Sequence, residues 1–122
     1  MKFRDYFNCE WETYEDHYIP ELRSRYYRNR IDDAMDAVIK VAKDNECMVK
    51  YVDKERHEII FDNYKYTATA TLTNQYTTTS IDFKVSTNHG SFDFGRGPKY
   101  IKKLYADLDK VLNYKGVGLF NK

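Results

Sequence analysis

The residue types that most often carry catalysis are few and scattered in this sequence. Its three histidines, His17, His57 and His89, lie in separate segments, and Cys9 and Cys47 are too far apart to form a CxxC motif. No Gly-x-Ser-x-Gly, His-Glu-x-x-His or phosphate-loop sequence is present. Catalysis and metal binding need such groups at short, fixed spacing. We therefore predict that the protein is not an enzyme and has no cofactor and no metal site.

The loop sequence STNHGSFDFG is the nearest approach to a reactive cluster, because it holds His89, Ser91 and Asp93. Consecutive loop residues seldom converge on one point, so we expect no catalytic centre there. Cys47 fits a core position in a strand. The first residues are acidic and aromatic, unlike an export signal, which favours a cytoplasmic protein with reduced cysteines.

Two basic segments are candidates for binding a partner or phosphate. The first, RSRYYRNR, contributes Arg23, Arg25, Tyr26, Tyr27, Arg28 and Arg30. Arginines interleaved with aromatic residues bind phosphates and stack on bases, or anchor protein interfaces. The alternative is neutralisation by the acidic segment EWETYEDHYIPE just before it.

The second segment, GRGPKYIKKL, contributes Arg96, Lys99, Lys102 and Lys103 at the start of a predicted helix. Cations are unfavourable at a helix N-terminus, so their presence there indicates a binding role for anions or a phosphate backbone. The alternative is an ordinary solvated basic face.

This second segment resembles the start of the final helix in double-stranded-RNA-binding domains, where Gly-x-Gly precedes paired lysines. The matching positions are Gly95, Gly97, Lys99, Lys102 and Lys103. The resemblance implies a helix, an antiparallel sheet and a final helix in that order. The chain departs from the pattern at Pro98 and Tyr100 and in having four predicted strands, so we do not assign it to that family.

Helical periodicity predicts two regions of helix. The first covers residues 20 to 45, as one helix or two: it starts near Pro20, and its clearer second phase carries Ile31, Ala34, Met35, Val38, Ile39, Val41 and Ala42. Asn29 or Asp32 is the predicted cap, and the Asn45-Glu46 pair ends it. The last helix begins at Pro98 and carries Ile101, Leu104, Tyr105, Leu108, Val111 and Leu112 on one stripe.

Four strands between these helices are predicted from alternating polarity. A predicted turn at Asn74-Gln75 pairs Tyr66 with Phe83. A second turn, at Asp62-Asn63, pairs Ile59 with Tyr66. A loop at 54 to 56 sets Tyr51 opposite Ile59 and Val49 opposite Phe61. All three turns place the apolar residues on the same face. The opposite face is rich in threonine, which is typical of a solvated sheet, with a hydroxyl-lined docking surface as the alternative.

These elements predict one α+β domain over residues 1 to 122, a two-layer sandwich. Its N-terminal helix or helix pair and its C-terminal helix lie on the same face of a four-stranded antiparallel meander. An outer strand, 76 to 87 or 47 to 53, is a candidate for edge-to-edge dimerisation.

Composition narrows the function without naming it. The net charge is +1, which gives no global attraction to nucleic acid or membranes, and no apolar run is long enough to span a bilayer. Twelve tyrosines favour interface formation. We expect a non-enzymatic binding protein that occupies a protein or nucleoprotein partner. Amino acids encoded by AT-rich codons, namely Lys, Asn, Phe, Tyr, Met and Ile, are more common in this chain than Gly, Ala, Arg and Pro. This bias suggests a phage or mobile-element accessory protein, such as an anti-CRISPR-like inhibitor of host defence. The alternative is an RNA- or DNA-binding module that uses the basic helix start.

Overall fold

The computed structural model describes residues 10–13, 22–75, 78–87, 96–112 and 114–117. The predictions on Cys9, His17, Pro20, Gly95 and the His89, Ser91, Asp93 loop lie outside these ranges. Within them the chain forms β1 (Glu10–Glu12), β2 (Arg25–Tyr27), α1 (Ile31–Asp44), β3 (Met48–Asp53), β4 (Glu58–Asp62), β5 (Tyr66–Gln75), β6 (Thr78–Thr87), α2 (Arg96–Val111) and β7 (Tyr114–Val117).

The strands form one antiparallel sheet in the order β3-β4-β5-β6-β2-β7, and β1 also pairs with β6. The predicted α+β class and the meander from β3 to β6 are confirmed, but the prediction of a four-stranded sheet is wrong. The second edge of β6 is shared: β1 lies along residues 84–86 and β2 along residues 79–81. The prediction of 76–87 as an outer strand is therefore also wrong, whereas β3 does lie at the edge.

The first part of the predicted helical region, before Ile31, is wrong where it is described, because Arg25–Tyr27 forms β2. Tyrosine is a good strand former, and β6 offers this segment an open row of backbone groups. Pairing with β6 and β7 outweighs the local helical tendency of a short arginine-rich segment. One helix, α1, is thus described where one or two were predicted.

Helix α1 buries the predicted apolar stripe and ends where predicted. Its N-cap is Arg30, with no capping bond from a side chain, so the prediction of Asn29 or Asp32 as cap is wrong. The Asn29 carbonyl instead accepts a hydrogen bond from the Thr79 hydroxyl at 2.8 Å. At the other end Asn45 is the C-cap and Glu46 takes a left-handed conformation with φ 61°, which turns the chain into β3.

Helix α2 begins at Arg96, two residues before the predicted start at Pro98. Its stripe is buried as predicted except for Val111, which is 44% exposed. The buried residues of both helices form one core with the inner face of the sheet, where Ile59, Tyr66 and Phe83 lie together. The small side chains of Ala68 and Ala70, both fully buried, leave room for α1 to approach β5.

The pairings of β5 with β4 and with β6 are offset by four residues from the predicted pairings. The same residues nevertheless face the helices. Ala70 lies opposite Phe83 on β6 and opposite Ile59 on β4. Because side chains alternate with a period of two, an even offset preserves which residues face the helices. The exception is β3, where the register shifts between Val49 and Tyr51.

This shift is a β-bulge at Lys50. Val49 remains opposite Phe61 as predicted, but Tyr51 lies opposite Ile60 and Val52 opposite Ile59. The predicted pairing of Tyr51 with Ile59 is therefore wrong: the bulge turns Tyr51 to the outer face of the sheet and Val52 toward the helices.

Candidate binding surfaces

The arginine and tyrosine segment is used mainly inside the protein. Arg25 Nη1 lies 2.5 Å from Asp109 Oδ2 on α2, and its guanidinium lies 4.8 Å from the centre of the Tyr105 ring. The Tyr27 hydroxyl donates to Asp109 Oδ1 at 2.7 Å. Burial, together with the neighbouring carboxylate, raises the pKa of Tyr27 far above its usual value. These contacts join β2 to α2.

The remaining residues of this segment do not form one exposed face. Tyr26 is 4% exposed and Arg23 is half-buried, whereas Arg28 and Arg30 are exposed. Tyr26 and Tyr27 therefore cannot stack on a ligand without unfolding the strand. Arg28 and Arg30 are thus the two exposed cations among the six predicted residues.

The lysines of α2 lie on the surface. Lys99 and Lys102 are exposed, and Lys103 donates to Asp107 Oδ2 at 2.7 Å while 62% of its own side chain is exposed. Burial disfavours the charged carboxylate of Asp107, but hydrogen bonds from Lys103 and Asn45 outweigh it and lower the pKa of Asp107 below its usual value. The side chain of Arg96 lies outside the described part of the structure.

The two predicted basic clusters are at opposite ends of the sheet. Asn29, between Arg28 and Arg30, bonds to Thr79, whereas Tyr100, next to Lys99, packs on Tyr66 with ring centres 4.8 Å apart. Tyr66 lies opposite Thr87. Eight residues of strand therefore separate the clusters, which is about 25 Å at roughly 3.3 Å per residue. The structure does not bring them together into one site.

A polar cluster ties the end of α1 to the turn between β4 and β5. Cys47 is a free, buried thiol, as predicted, with Sγ 3.5 Å from the Tyr66 hydroxyl and 3.4 Å from Asn63 Nδ2. Asn45 Nδ2 donates to Asp107 Oδ2 at 2.9 Å, which connects α1 to α2. Burial raises the pKa of the Cys47 thiol, so the reactive thiolate is disfavoured.

Two surface depressions flank this cluster. The larger, of about 660 Å³, is lined by Lys43, Glu46, Cys47, Met48 and Val49. The smaller, of about 280 Å³, is lined by Asp44, Asn45, Glu46, Asn63, Tyr64, Lys65 and Lys103. Tyr64 is 79% exposed, and Lys65 Nζ lies 5.5 Å from the centre of its ring. Tyr64 and Lys65 were not connected with the predicted Lys103 by sequence analysis, because Lys65 and Lys103 are 38 positions apart.

Large apolar side chains are exposed on the outer face near the edge of the sheet. Met48 is 63% exposed and Tyr51 48% exposed, and Tyr51 lies next to the half-buried Ile60. We call these three residues the Tyr51 patch. Thr69 and Thr71 of β5 lie beside Ile60 and Glu58 on the same face, so the threonine-rich surface adjoins the patch.

Hydrogen bonds hold the Tyr51 ring in place. Its hydroxyl donates to Asp53 Oδ2 at 3.0 Å, and Asp53 Oδ1 accepts from the backbone N–H groups of Glu55 and Arg56, each at 3.0 Å. Hydrogen bonds from the Arg56 backbone and from Tyr51 lower the pKa of Asp53, and the same carboxylate raises the pKa of Tyr51. The turn after β3 therefore fixes the orientation of an exposed aromatic side chain.

Comparisons with known proteins do not assign the chain to a family. No family model matches the chain, and no curated protein shows significant similarity to it. Among the described residues, no group of three or more His, Cys, Asp and Glu side chains could hold a metal ion. None of the helices in the described ranges has the length and apolarity to cross a membrane.

Proposed function

We propose that this chain is a non-enzymatic binding protein that acts by occupying a macromolecular partner, and that the Tyr51 patch is its docking surface. The observation that carries the proposal is the bulge at Lys50, which turns Tyr51 outward beside Met48 and Ile60. Bulges commonly redirect a side chain at a functional position. A regular strand would have turned Tyr51 toward the helices.

The chemistry of the patch suits a protein interface. Tyrosine and methionine are enriched at such interfaces, and an aromatic ring held by Asp53 loses little conformational freedom on binding. The neighbouring threonines provide a flat, hydroxyl-lined margin that can form a polar rim around an apolar centre. The buried thiol of Cys47, with its raised pKa, supports a role without nucleophilic catalysis.

A protein or nucleoprotein partner is proposed, since the patch is apolar at its centre. Inhibition of a host defence system by a phage accessory protein stays a prediction from composition and size.

Affinity capture from the native host, with and without nuclease, tests the proposal. The bait is the full chain, compared with the double variant Met48→Ala, Tyr51→Ala. Val111→Ala is the matched control, because Val111 is an exposed apolar residue on α2. We expect one protein to be retained by wild type and control, to be lost from the double variant, and to survive nuclease. Recovery of nucleic acid alone, or unchanged capture by the double variant, would contradict the proposal.

A further inference from the structure

The end of the molecule opposite Arg28 and Arg30 combines excess positive charge with an exposed aromatic ring. It consists of the last turn of α1, the turn between β4 and β5, and the first turns of α2. The described charges there are Lys40, Lys43, Lys65, Lys99, Lys102 and Lys103 against Asp44, Glu46, Asp62 and Asp107. Two lysines are paired, Lys40 with Asp44 and Lys103 with Asp107, and the other cations outnumber the other acids.

Some of these groups come together at the smaller depression. Tyr64, Lys65 and Lys103 line it, together with the acidic residues Asp44 and Glu46. Lys99 precedes Lys103 by four residues, so it lies on the same face of α2, one turn away. A backbone of regularly spaced anions that crosses the depression can contact Lys65 and Lys103 there, and Lys99 one helical turn away.

The Tyr64 ring gives this surface an exposed aromatic group, which a simple anion site lacks. It is the most exposed of the large apolar side chains in the described part of the chain. The ammonium group of Lys65 lies 5.5 Å from the centre of the ring. Exposed aromatic rings beside cationic side chains are the elements that bind single-stranded nucleic acid: the ring stacks on a base while the cations contact phosphates. A base within a duplex is already stacked, so such a ring favours unpaired strands.

We propose that this surface, formed by Tyr64, Lys65, Lys99 and Lys103, binds a single-stranded nucleic acid, with one base stacked on Tyr64 and adjacent phosphates at the lysines. It is separate from the Tyr51 patch and does not rest on it. Together the two surfaces fit a nucleoprotein partner that presents a protein face and a nearby single strand.

Fluorescence anisotropy with the full chain tests the proposal. The probe is a fluorescein-labelled oligothymidylate of about fifteen nucleotides, titrated at about 50 mM and about 200 mM NaCl. We expect wild type to bind the single strand more tightly than a duplex of equal length. Tyr64→Ala should weaken binding about tenfold, which is the usual effect of losing one stacked base. Lys65→Glu and Lys99→Glu should each weaken binding and reduce its dependence on salt.

Matched controls separate the possible outcomes. Lys84→Glu changes an exposed lysine on the outer face of the sheet and should leave binding unchanged, as should Tyr51→Ala in the Tyr51 patch. Loss on Tyr51→Ala alone would assign the strand to that patch and overturn the inference. The absence of binding at low salt, equal binding of inorganic polyphosphate, or an unchanged affinity of Tyr64→Ala would each overturn it as well.

Discussion

The hydroxyl of Tyr27 donates to Asp109 across the boundary between the sheet and α2, at 2.7 Å. The second oxygen of the same carboxylate binds Arg25. One acidic side chain on the helix thus holds two neighbouring residues of β2, and Tyr27 is fully buried. This contact gives Arg25 and Tyr27 a structural role in joining β2 to α2.

Replacing Asp109 with alanine should lower the free energy of unfolding by about 2–3 kcal/mol, because a buried hydroxyl and a half-buried guanidinium lose their charged acceptor. Tyr27→Phe should cost about 1 kcal/mol. Asp44→Ala is the control: it breaks the exposed pair with Lys40, and less than about 0.5 kcal/mol is expected. Urea unfolding followed by circular dichroism measures all three. Equal losses for Asp109→Ala and Asp44→Ala would show that the contact to β2 contributes nothing.

Cys47 should react slowly with alkylating reagents while the protein is folded. Its thiol is buried and its pKa is raised, so the thiolate fraction at pH 8 is small. In a Cys9→Ser background, we expect iodoacetamide to modify Cys47 at least about tenfold more slowly than it does in urea. Mass spectrometry over time gives both rates. Similar rates in the two states would mean that this thiol is accessible and poised for reaction.

Asp53 should titrate below the usual carboxylate value of about 4. A folded-state pKa that is depressed contributes stability above the unfolded pKa, and this contribution is lost as the pH falls through the folded value. Removing the Tyr51 hydroxyl in Tyr51→Phe should move the pKa of Asp53 upward, toward the usual value. NMR titration of the Asp53 carboxyl carbon measures the change. An identical titration in both proteins would show that Tyr51 is not held by this bond in solution.

Deletion of Lys50 should leave the fold intact while changing the edge of the sheet. Without Lys50, Tyr51 still lies opposite Ile60 and Val52 opposite Ile59, so the same residues face the core. Bulges blunt the open edge of a sheet, and a regular β3 would present an uninterrupted row of backbone groups. We therefore expect near-native stability together with new self-association, measured by sedimentation at increasing protein concentration. Deletion of Val52, which reverses the face of Tyr51, is the contrasting variant and should destabilise the protein.

The alternation of residues 66 to 85 was sufficient to predict the two faces of the sheet, even though its registers were wrong. The predicted turn at Asn74-Gln75 was displaced, because β5 continues to Gln75 and β6 begins at Thr78. A four-residue error in pairing does not change the face of Tyr66 or Phe83, since the period of a strand is two. Local polarity therefore predicted which residues form the core better than it predicted which residues pair across neighbouring strands.

The structural features that were not predicted from the sequence are β2, the bulge at Lys50 and the exposure of Tyr64. They depend on contacts that the local sequence does not reveal. The two tyrosines of RSRYYRNR are too weak a local signal to predict a strand, because that segment becomes one by pairing with β6, more than fifty residues later. The bulge at Lys50 leaves no compositional trace, so Tyr51 was assigned to the wrong face. Tyr64 lies two positions before the buried Tyr66, but the turn that Asn63 forms with the backbone N–H groups of Lys65 and Tyr66 leaves Tyr64 on the surface.

Thr13 meets Phe83 through two hydrogen bonds, and the partners are 70 positions apart. On a ribosome adding roughly 5–20 residues per second, the N-terminal strands wait several seconds before β6 has been made. Until then their tyrosines and tryptophan have no sheet to join. Newly made chains should consequently depend on chaperones at this stage, and moving β1 and β2 to the C-terminus by circular permutation should shorten that interval.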